Sequence, residues 1–317
     1  MIEVQHLSKA YGPIRAVDDI SFRVKPGVVT GFLGPNGAGK STTMRMIVGL
    51  DKPTSGSCLI DGTSYRNLKH PAQKVGALLD AKGVHPNRSA RATPLWRAQA
   101  SGIPASRVDE VLSLVGLTDV AGKKVGGFSL GMGQRLGIAA ALLGDPEYLI
   151  LDEPVNGLDP EGIRWVRSLL RALAQEGRTI LVSSHLLAEM AQTADHLIVI
   201  GKGKLVADTS VHDFIKAHSG SSVIVRALDD GLSRLQVAVE AGAPGATIRP
   251  GTDADGRPNL TINDATPETI GRIAFEAGVI LTELSEHHAS LEDAYIQSTE
   301  GTEQFASRFE HSVQEGK

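Results

Sequence analysis

The sequence predicts an α/β fold with a mixed sheet over about the first two thirds of the chain, followed by a small α+β module. An apolar strand at 28–33 runs into a glycine-rich loop, and an amphipathic helix follows that loop. Farther on, apolar strands at 148–151 and 179–183 flank a helix at 161–175, and this order is typical of a parallel sheet. After a small polar segment at 218–222 the order becomes βαββαβ, with the last strand over 279–284, and this order is typical of a two-layer α+β module.

In chain order, the first elements belong to a sheet-rich region. Loose alternation over 2–24, broken at residues 11–13, predicts antiparallel strands joined by a turn. A helix is expected over 40–50 after the glycine-rich loop, and further strands over 57–60 and 75–79.

Helical periodicity then replaces the strand signals. This predicts a helical insertion over about 81–144, and a hairpin at 196–200 and 204–207 with a closing helix at 211–217 follows later. The predicted domains are residues 1–217, residues 222–300 and a polar tail at 301–317.

Composition excludes several classes of protein. The 317 residues are 41% hydrophobic and 21% charged, which is ordinary for a globular chain, and the net charge of −4 gives no reason to expect nucleic acid as a partner. Cys58 is the single cysteine, so no intramolecular disulfide can form. The first residues lack the apolar run of a signal peptide, and no run of about 18 apolar residues predicts a membrane span.

The glycine-rich loop matches the pattern GxxxxGK[ST] completely. Its glycines allow successive backbone amides to point at a polyphosphate, and the following helix adds its N-terminal dipole. Lys40 supplies a positive charge for the β- and γ-phosphates, and the hydroxyl of Ser41 can bind Mg²⁺. The predicted phosphate-binding residues are Gly34, Pro35, Asn36, Gly37, Ala38, Gly39, Lys40, Ser41 and Thr42.

Two carboxylates, Asp152 and Glu153, end the apolar strand at 148–151. Because side chains alternate along a strand, we expect the two to point to opposite sides and to act differently. Asp152 can hold Mg²⁺ through water, and Glu153 can orient and deprotonate a water that attacks the γ-phosphate. Taken alone, such a pair is as readily a helix cap or a solvated turn, and the phosphate loop favours the catalytic interpretation.

A second helix start lies at FSLGMGQR, where Ser129 is a candidate N-cap and Gly131 permits close backbone approach. With this segment, the phosphate loop, LILDEP, NGLDP and an isolated His185, the chain resembles the ATP-binding subunit of an ABC transporter over residues 1 to about 217. That resemblance implies a P-loop NTPase cassette with a mixed sheet core, an antiparallel β subdomain and a helical subdomain. The segment after 222 resembles the accessory α+β domain of bacterial drug and antibiotic exporter cassettes, with a dimerising or regulatory role.

The family resemblance also implies cofactors and partners. The expected ligands are ATP and Mg²⁺, and two cassettes are expected to face each other head to tail, with Ser129 and Gly131 of one closing on the nucleotide of the other. A separate membrane-spanning permease would hold the homodimer at the cytoplasmic side of the plasma membrane, and transport is expected to be export.

Four further positions follow from the same resemblance. Tyr11 matches the aromatic residue that stacks on adenine, His185 the histidine that contacts the γ-phosphate, and Asp159 the acidic residue that communicates across the dimer. Asp80 stands where the family normally has glutamine, and it still offers oxygen to Mg²⁺. The segment FSLGMGQR also departs from the family pattern, with Leu130 where the family usually has glycine and Met132 where glutamine is common.

Other classes of ATPase are the alternative. A cassette that acts on ribosomes usually carries two phosphate loops, whereas GK[ST] occurs once here. A cassette that acts on DNA separates its motifs by coiled coils or zinc modules, and the chain has neither sustained heptads nor cysteine pairs. The guanine-binding NKxD element of GTPases is also missing from the sequence.

Overall fold

The computed structural model describes residues 1–80, 83–218, 222–228, 230–253, 256–287, 291–292 and 295. The predicted polar tail at 301–317 lies outside the described residues. Packing divides the chain into two compact units, the first over Met1–Val211 and the second over His212–Ser298.

The first unit contains two sheets and the helices that pack on them. Its strands are β1 (Ile2–Tyr11), β2 (Ile14–Val24), β3 (Val29–Leu33), β4 (Ser55–Ile60), β5 (Val75–Leu78), β6 (Tyr148–Leu151), β7 (Thr179–Ser183), β8 (His196–Gly201) and β9 (Lys204–Ser210). Its helices are α1 (Lys40–Ile47), α2 (Pro71–Lys74), α3 (Ala92–Ala100), α4 (Ser106–Leu114), α5 (Leu130–Leu142), α6 (Pro160–Gln175) and α7 (Leu187–Thr193).

The larger sheet has the order β5-β6-β7-β3-β8-β9 and is parallel except for β9. All five residues of β3 are buried, as expected for a strand covered on both faces of a parallel sheet. The smaller sheet, β2-β1-β4, is antiparallel. These arrangements confirm the predicted mixed sheet, antiparallel region and terminal hairpin, and they bring the carboxyl ends of β3, β6 and β7 to one edge.

Helix α1 ends three residues earlier than the predicted limit of 50. Gly49 adopts a left-handed φ of +67°, and the amide of Leu50 donates to the carbonyl of Arg45 at 2.9 Å. This glycine-terminated ending satisfies carbonyls of the last turn and stops the helix at Ile47. Helix α7 was not predicted from the sequence.

The second unit contains strands β10 (Ser222–Ala227), β11 (Thr247–Thr252), β12 (Pro258–Asn263) and β13 (Leu281–His287), with helices α8 (Val211–His218), α9 (Gly231–Gly242) and α10 (Pro267–Glu276). Its antiparallel sheet has the order β11-β12-β10-β13, the split βαβ arrangement expected for a βαββαβ chain. All of α8 after Val211 is grouped with this unit, although the sequence placed this helix at the end of the first domain. The domain limits at 217 and 222 therefore stay a prediction.

Strand β13 begins two residues later than its predicted start at 279. Gly278 has φ +65°, and the Val279 amide donates to the Ala274 carbonyl at 2.9 Å, which closes the end of α10. Val279 is therefore buried as part of the helix ending rather than as the first strand residue.

Within the part of the chain that the structure describes, no helix is both long enough and apolar enough to cross a bilayer.

Candidate functional site

The glycine-rich loop joins the end of β3 to the start of α1, as predicted. Gly37 and Gly39 have φ of +83° and +105°, conformations that residues with a Cβ rarely adopt. Gly34 is required for a different reason, because a Cβ there would lie 2.5 Å from the carbonyl oxygen of Ile200. The loop therefore combines two left-handed turns with one point of close packing against β8.

Lys40, the first residue of α1, folds its side chain back over the loop. Its ammonium group donates to the carbonyl oxygens of Gly34 at 2.6 Å and Pro35 at 3.3 Å, and the residue is only 7% exposed. Burial lowers the pKa of Lys40 below its ordinary value, against the attraction of Glu153 and Asp152. The positive charge is thus held beside the loop and close to two carboxylates.

A cavity of about 380 Å³ opens over this loop. It is lined by Ala16, Pro35, Asn36, Gly37, Ala38, Gly39, Lys40, Ser41, Thr42, Leu79, Asp80, Leu130, Gln134, Asp152, Glu153 and Asn156. The lining brings the phosphate loop together with Asp80, Asp152 and Glu153, three of the four carboxylates that the sequence singled out. Cavities of this size accommodate small-molecule ligands.

Asp152 and Glu153 line the same cavity, so the expectation that they point to opposite sides is wrong. Alternation ends with β6 at Leu151, because Glu153 has a left-handed φ of +50°. Ser183, at the end of the neighbouring strand β7, bridges the pair. Its hydroxyl donates to the Asp152 carboxylate at 2.5 Å and accepts the Glu153 amide at 2.9 Å.

His185 follows β7 and lies against Glu153. Its Nδ1 is 2.7 Å from Oε2 of Glu153, and the two side chains are 47% and 23% exposed. The bond fixes one oxygen of the Glu153 carboxylate and leaves the imidazole accessible to a ligand. The structure therefore places Glu153 and His185 in contact, and Lys40 lines the cavity together with Glu153, whereas His185 is not among the lining residues.

Gln134 is a cavity residue that the sequence interpretation missed. It lies on α5, is 4% exposed, and its Nε2 donates to the carbonyl oxygen of Glu153 at 2.6 Å. On a helix, Gln134 shares one face with Gly137, Ile138 and Ala141, which are all buried. A polar residue on an otherwise apolar helix face was the signal in the sequence that could have identified Gln134.

Ser129, Gly131 and Asp159 form a second group that lies outside the lining of this cavity. Ser129 caps α5 by accepting the amide of Met132 at 3.2 Å, as predicted. Asp159 caps α6 by accepting the amide of Gly162 at 2.9 Å. The predicted binding residues therefore do not all line one cavity, although Leu130, between Ser129 and Gly131, does.

Tyr11 also lies outside the cavity lining. It is half exposed at the end of β1, its hydroxyl donates to Asp51 at 3.4 Å, and the ammonium of Lys9 lies 4.9 Å from its ring centroid. One face of the ring is therefore occupied by a cation, and the structure does not bring Tyr11 to the phosphate loop.

Comparison with protein families gives two matches. The ABC transporter model matches residues 17–156, and a domain of unknown function matches residues 221–292. The first match includes the phosphate loop and the two carboxylates at the end of β6.

Curated relatives and solved structures agree with these matches. The bacitracin transport ATP-binding protein of Bacillus licheniformis is 48% identical over 211 residues, which are 66% of this chain and 69% of the relative. The protein of the same name from Enterococcus faecalis is 35% identical over 309 residues, which are 93% of this chain and 95% of the relative. A dimeric ATP-binding cassette in a post-hydrolysis state with ADP and phosphate has a TM-score of 0.62 at 25% identity, covering 67% of this chain and 99% of that chain.

Proposed function

The chain belongs to the ABC transporter family as an ATP-binding, ATP-hydrolysing subunit, and from that premise we propose that it drives export through a separate membrane-spanning subunit. The cavity over the phosphate loop is the observation that carries the proposal. It places Lys40, Asp152 and Glu153 around one space, which is the set of groups that phosphoryl transfer to water needs.

Binding of ATP begins with the loop between β3 and α1. Its amides and the ammonium of Lys40 would take the phosphates, exchanging the present Lys40 bonds to Gly34 and Pro35 for charge-assisted ones. Each such bond contributes roughly 1.5 to 3 kcal/mol. Tyr11 would stack on adenine, and Lys9 would then have to leave the ring face or stay on the opposite one.

Mg²⁺ would be held by the hydroxyl of Ser41 and the carboxylates of Asp152 and Asp80, which are all oxygen donors on the cavity wall. When bound, the ion would neutralise charge that develops on the phosphates. No group of three His, Cys, Asp or Glu residues in the described ranges converges on a metal site. The protein would therefore supply few ligands, as is usual for Mg²⁺ held together with phosphate.

Glu153 would act as the general base. Its carboxylate lines the cavity and could take a proton from a water placed between it and the γ-phosphate. His185 would orient that carboxylate through the 2.7 Å contact and present its ring toward the same phosphate.

Dimerisation would bring Ser129, Gly131 and Asp159 of one protomer to the cavity of the other. Ser129, Gly131 and Asp159 lie outside the cavity of their own chain, and Ser129 stands at the N-terminus of α5, where backbone amides favour an anion. In a head-to-tail pair, these residues of one protomer would close the cavity of its partner. The similar cassette that is dimeric supports this arrangement.

The partner and the direction of transport rest on the relatives. The similar proteins from both organisms are named for bacitracin transport, and one match extends through the second unit. We therefore place the chain at the cytoplasmic face of the plasma membrane, bound to a permease, and propose an antibiotic or lipid-like compound as the exported substrate. No nucleic acid is expected as a partner.

Glu153→Gln tests the proposal. This variant should bind ATP and dimerise, while turnover falls by about 10² to 10⁴ because the base is lost. Glu147→Gln is the matched control, since Glu147 is an exposed glutamate just before β6 and should leave turnover unchanged. ATPase assays and size-exclusion chromatography with ATP make the measurement, and normal turnover of Glu153→Gln would remove Glu153 from its role.

A further inference from the structure

The main chain of Glu153 is held from both sides by other elements. Its φ of +50° is unusual for a residue with a Cβ and persists only where neighbouring groups hold it. The amide donates to the Ser183 hydroxyl of β7 at 2.9 Å, and the carbonyl accepts the Gln134 side chain of α5 at 2.6 Å. The amide of Asn156 donates to the same carbonyl at 3.2 Å, which is the longer of the two bonds.

Gln134 is well placed to hold the main chain of Glu153 in this conformation. It is almost fully buried, so its bond to Glu153 does not compete with bulk water, and an unmade bond would leave a polar group unpaired. Ser183 is fully buried as well and belongs to a sheet strand, which fixes it in place. Of the two side chains that hydrogen-bond the main chain of Glu153, Ser183 belongs to the sheet and Gln134 to a helix.

We infer that Gln134 is a positioning residue for hydrolysis, which holds the Glu153 peptide in its left-handed conformation so that the carboxylate faces the cavity. The inference rests on the proposed role of Glu153 as the base. Helix α5 begins at its N-cap Ser129, only five positions before Gln134, and both lie on the same continuous helix.

Two substitutions separate positioning from mere packing. Gln134→Met keeps the length of the side chain and removes the donor at every pH. Gln134→Glu can donate to the Glu153 carbonyl only while the introduced carboxyl is protonated, and burial beside other carboxylates favours that form. Gln73→Met is the matched control, because Nε2 of Gln73 donates to the Ser101 carbonyl at 3.3 Å on the surface, outside the cavity lining.

The measurement is steady-state ATPase activity from about pH 5.5 to 8.5 together with ATP affinity. We expect kcat of Gln134→Met to fall about 10-fold while KM changes less than about 3-fold, and Gln73→Met to match the parent. The ratio of kcat of Gln134→Glu to kcat of Gln134→Met should rise as pH falls. Lys40, Asp80, Asp152 and Glu153 face the same cavity in both variants, so the ratio compares the introduced carboxyl with methionine among the same neighbours.

Two results overturn the inference: a kcat of Gln134→Met within twofold of the parent, or a kcat of Gln134→Glu no higher than that of Gln134→Met at any pH in the range. If Gln134→Met does not fold, the pH dependence of Gln134→Glu relative to the parent decides the question in the same way. Glu153→Gln is measured alongside. If that variant turns over normally, the proposed function fails, whereas an effect at Glu153 with none at Gln134 contradicts only the positioning role.

Discussion

The buried ammonium group of Lys40 should make ATP binding depend on pH. Burial lowers its pKa in the free chain, and bound phosphates would raise it again because they favour the charged form. Between the lowered pKa and the ordinary value of about 10.4, binding therefore takes up a proton, and ATP affinity falls as pH rises.

We expect this decline in titrations of ATP against the parent chain above pH 8. Lys40→Arg is the control, since arginine stays charged over the whole range and should bind with little dependence on pH. An affinity of the parent that is constant up to about pH 10 would contradict a buried, titrating lysine at this site.

Asp80 adds a third carboxylate to a cavity that already holds Asp152 and Glu153. If it helps to hold Mg²⁺, Asp80→Ala should raise the Mg²⁺ concentration for half-maximal ATPase activity by about 10-fold, as loss of a supporting ligand commonly does. Asp80→Gln retains a neutral oxygen, so its Mg²⁺ concentration for half-maximal activity should lie between those of the parent and Asp80→Ala. Unchanged Mg²⁺ dependence and rate in Asp80→Ala would show that the assignment is wrong.

Helix α5 of the first unit and helix α10 of the second both begin with an N-cap hydroxyl. The hydroxyl of Ser129 accepts the Met132 amide at 3.2 Å, and that of Thr266 accepts the Thr269 amide at 3.3 Å. Ser129→Ala and Thr266→Ala should each lower the free energy of unfolding of their own unit by about 1 kcal/mol. Only Ser129→Ala should also weaken ATP-dependent dimerisation.

Thermal unfolding and chromatography with ATP in the Glu153→Gln background measure the two effects separately. Thr266→Ala controls for loss of a cap as such. Dimerisation that is equal in both variants would limit Ser129 to helix capping.

Among the described residues, each unit contains a hydrophobic core cluster built from its own strands and helices. One core joins β1 and β2 to α1 and the larger sheet, and the other joins β10 and β12 to α9 and α10. Every residue that lines the cavity lies between positions 16 and 156. We therefore propose that residues 1–217 form an autonomous ATP-binding domain.

A chain that ends at Ala217 should bind ATP with an affinity within roughly twofold of the parent. The residues that it lacks do not line the cavity, so their removal should not change the contacts to ATP. Binding is measured by calorimetry after circular dichroism has shown that the shortened chain is folded. The same chain with Lys40→Ala should bind far more weakly. A folded chain 1–217 that binds no ATP would contradict the proposed domain limit.

The elements and the phosphate loop could be predicted because their signals are local. Apolar runs, glycines at the turns of the loop and the cap at Ser129 act within a few residues, so they specify β3, α1 and α5 without reference to the rest of the fold. Boundaries differed where a single glycine ended a helix, as Gly49 and Gly278 do.

The fold class, the position of the phosphate loop and the carboxylates that accompany it could all be read from the amino-acid sequence, since each follows from a short pattern. That Asp152 and Glu153 line one cavity, and that Tyr11 is not among its lining residues, follows from tertiary packing. Gln134 and Ser183 hold Glu153 from positions 19 and 30 residues away in the chain. Such contacts arise from how helices and strands pack together, and packing leaves no local pattern that marks the partner in advance.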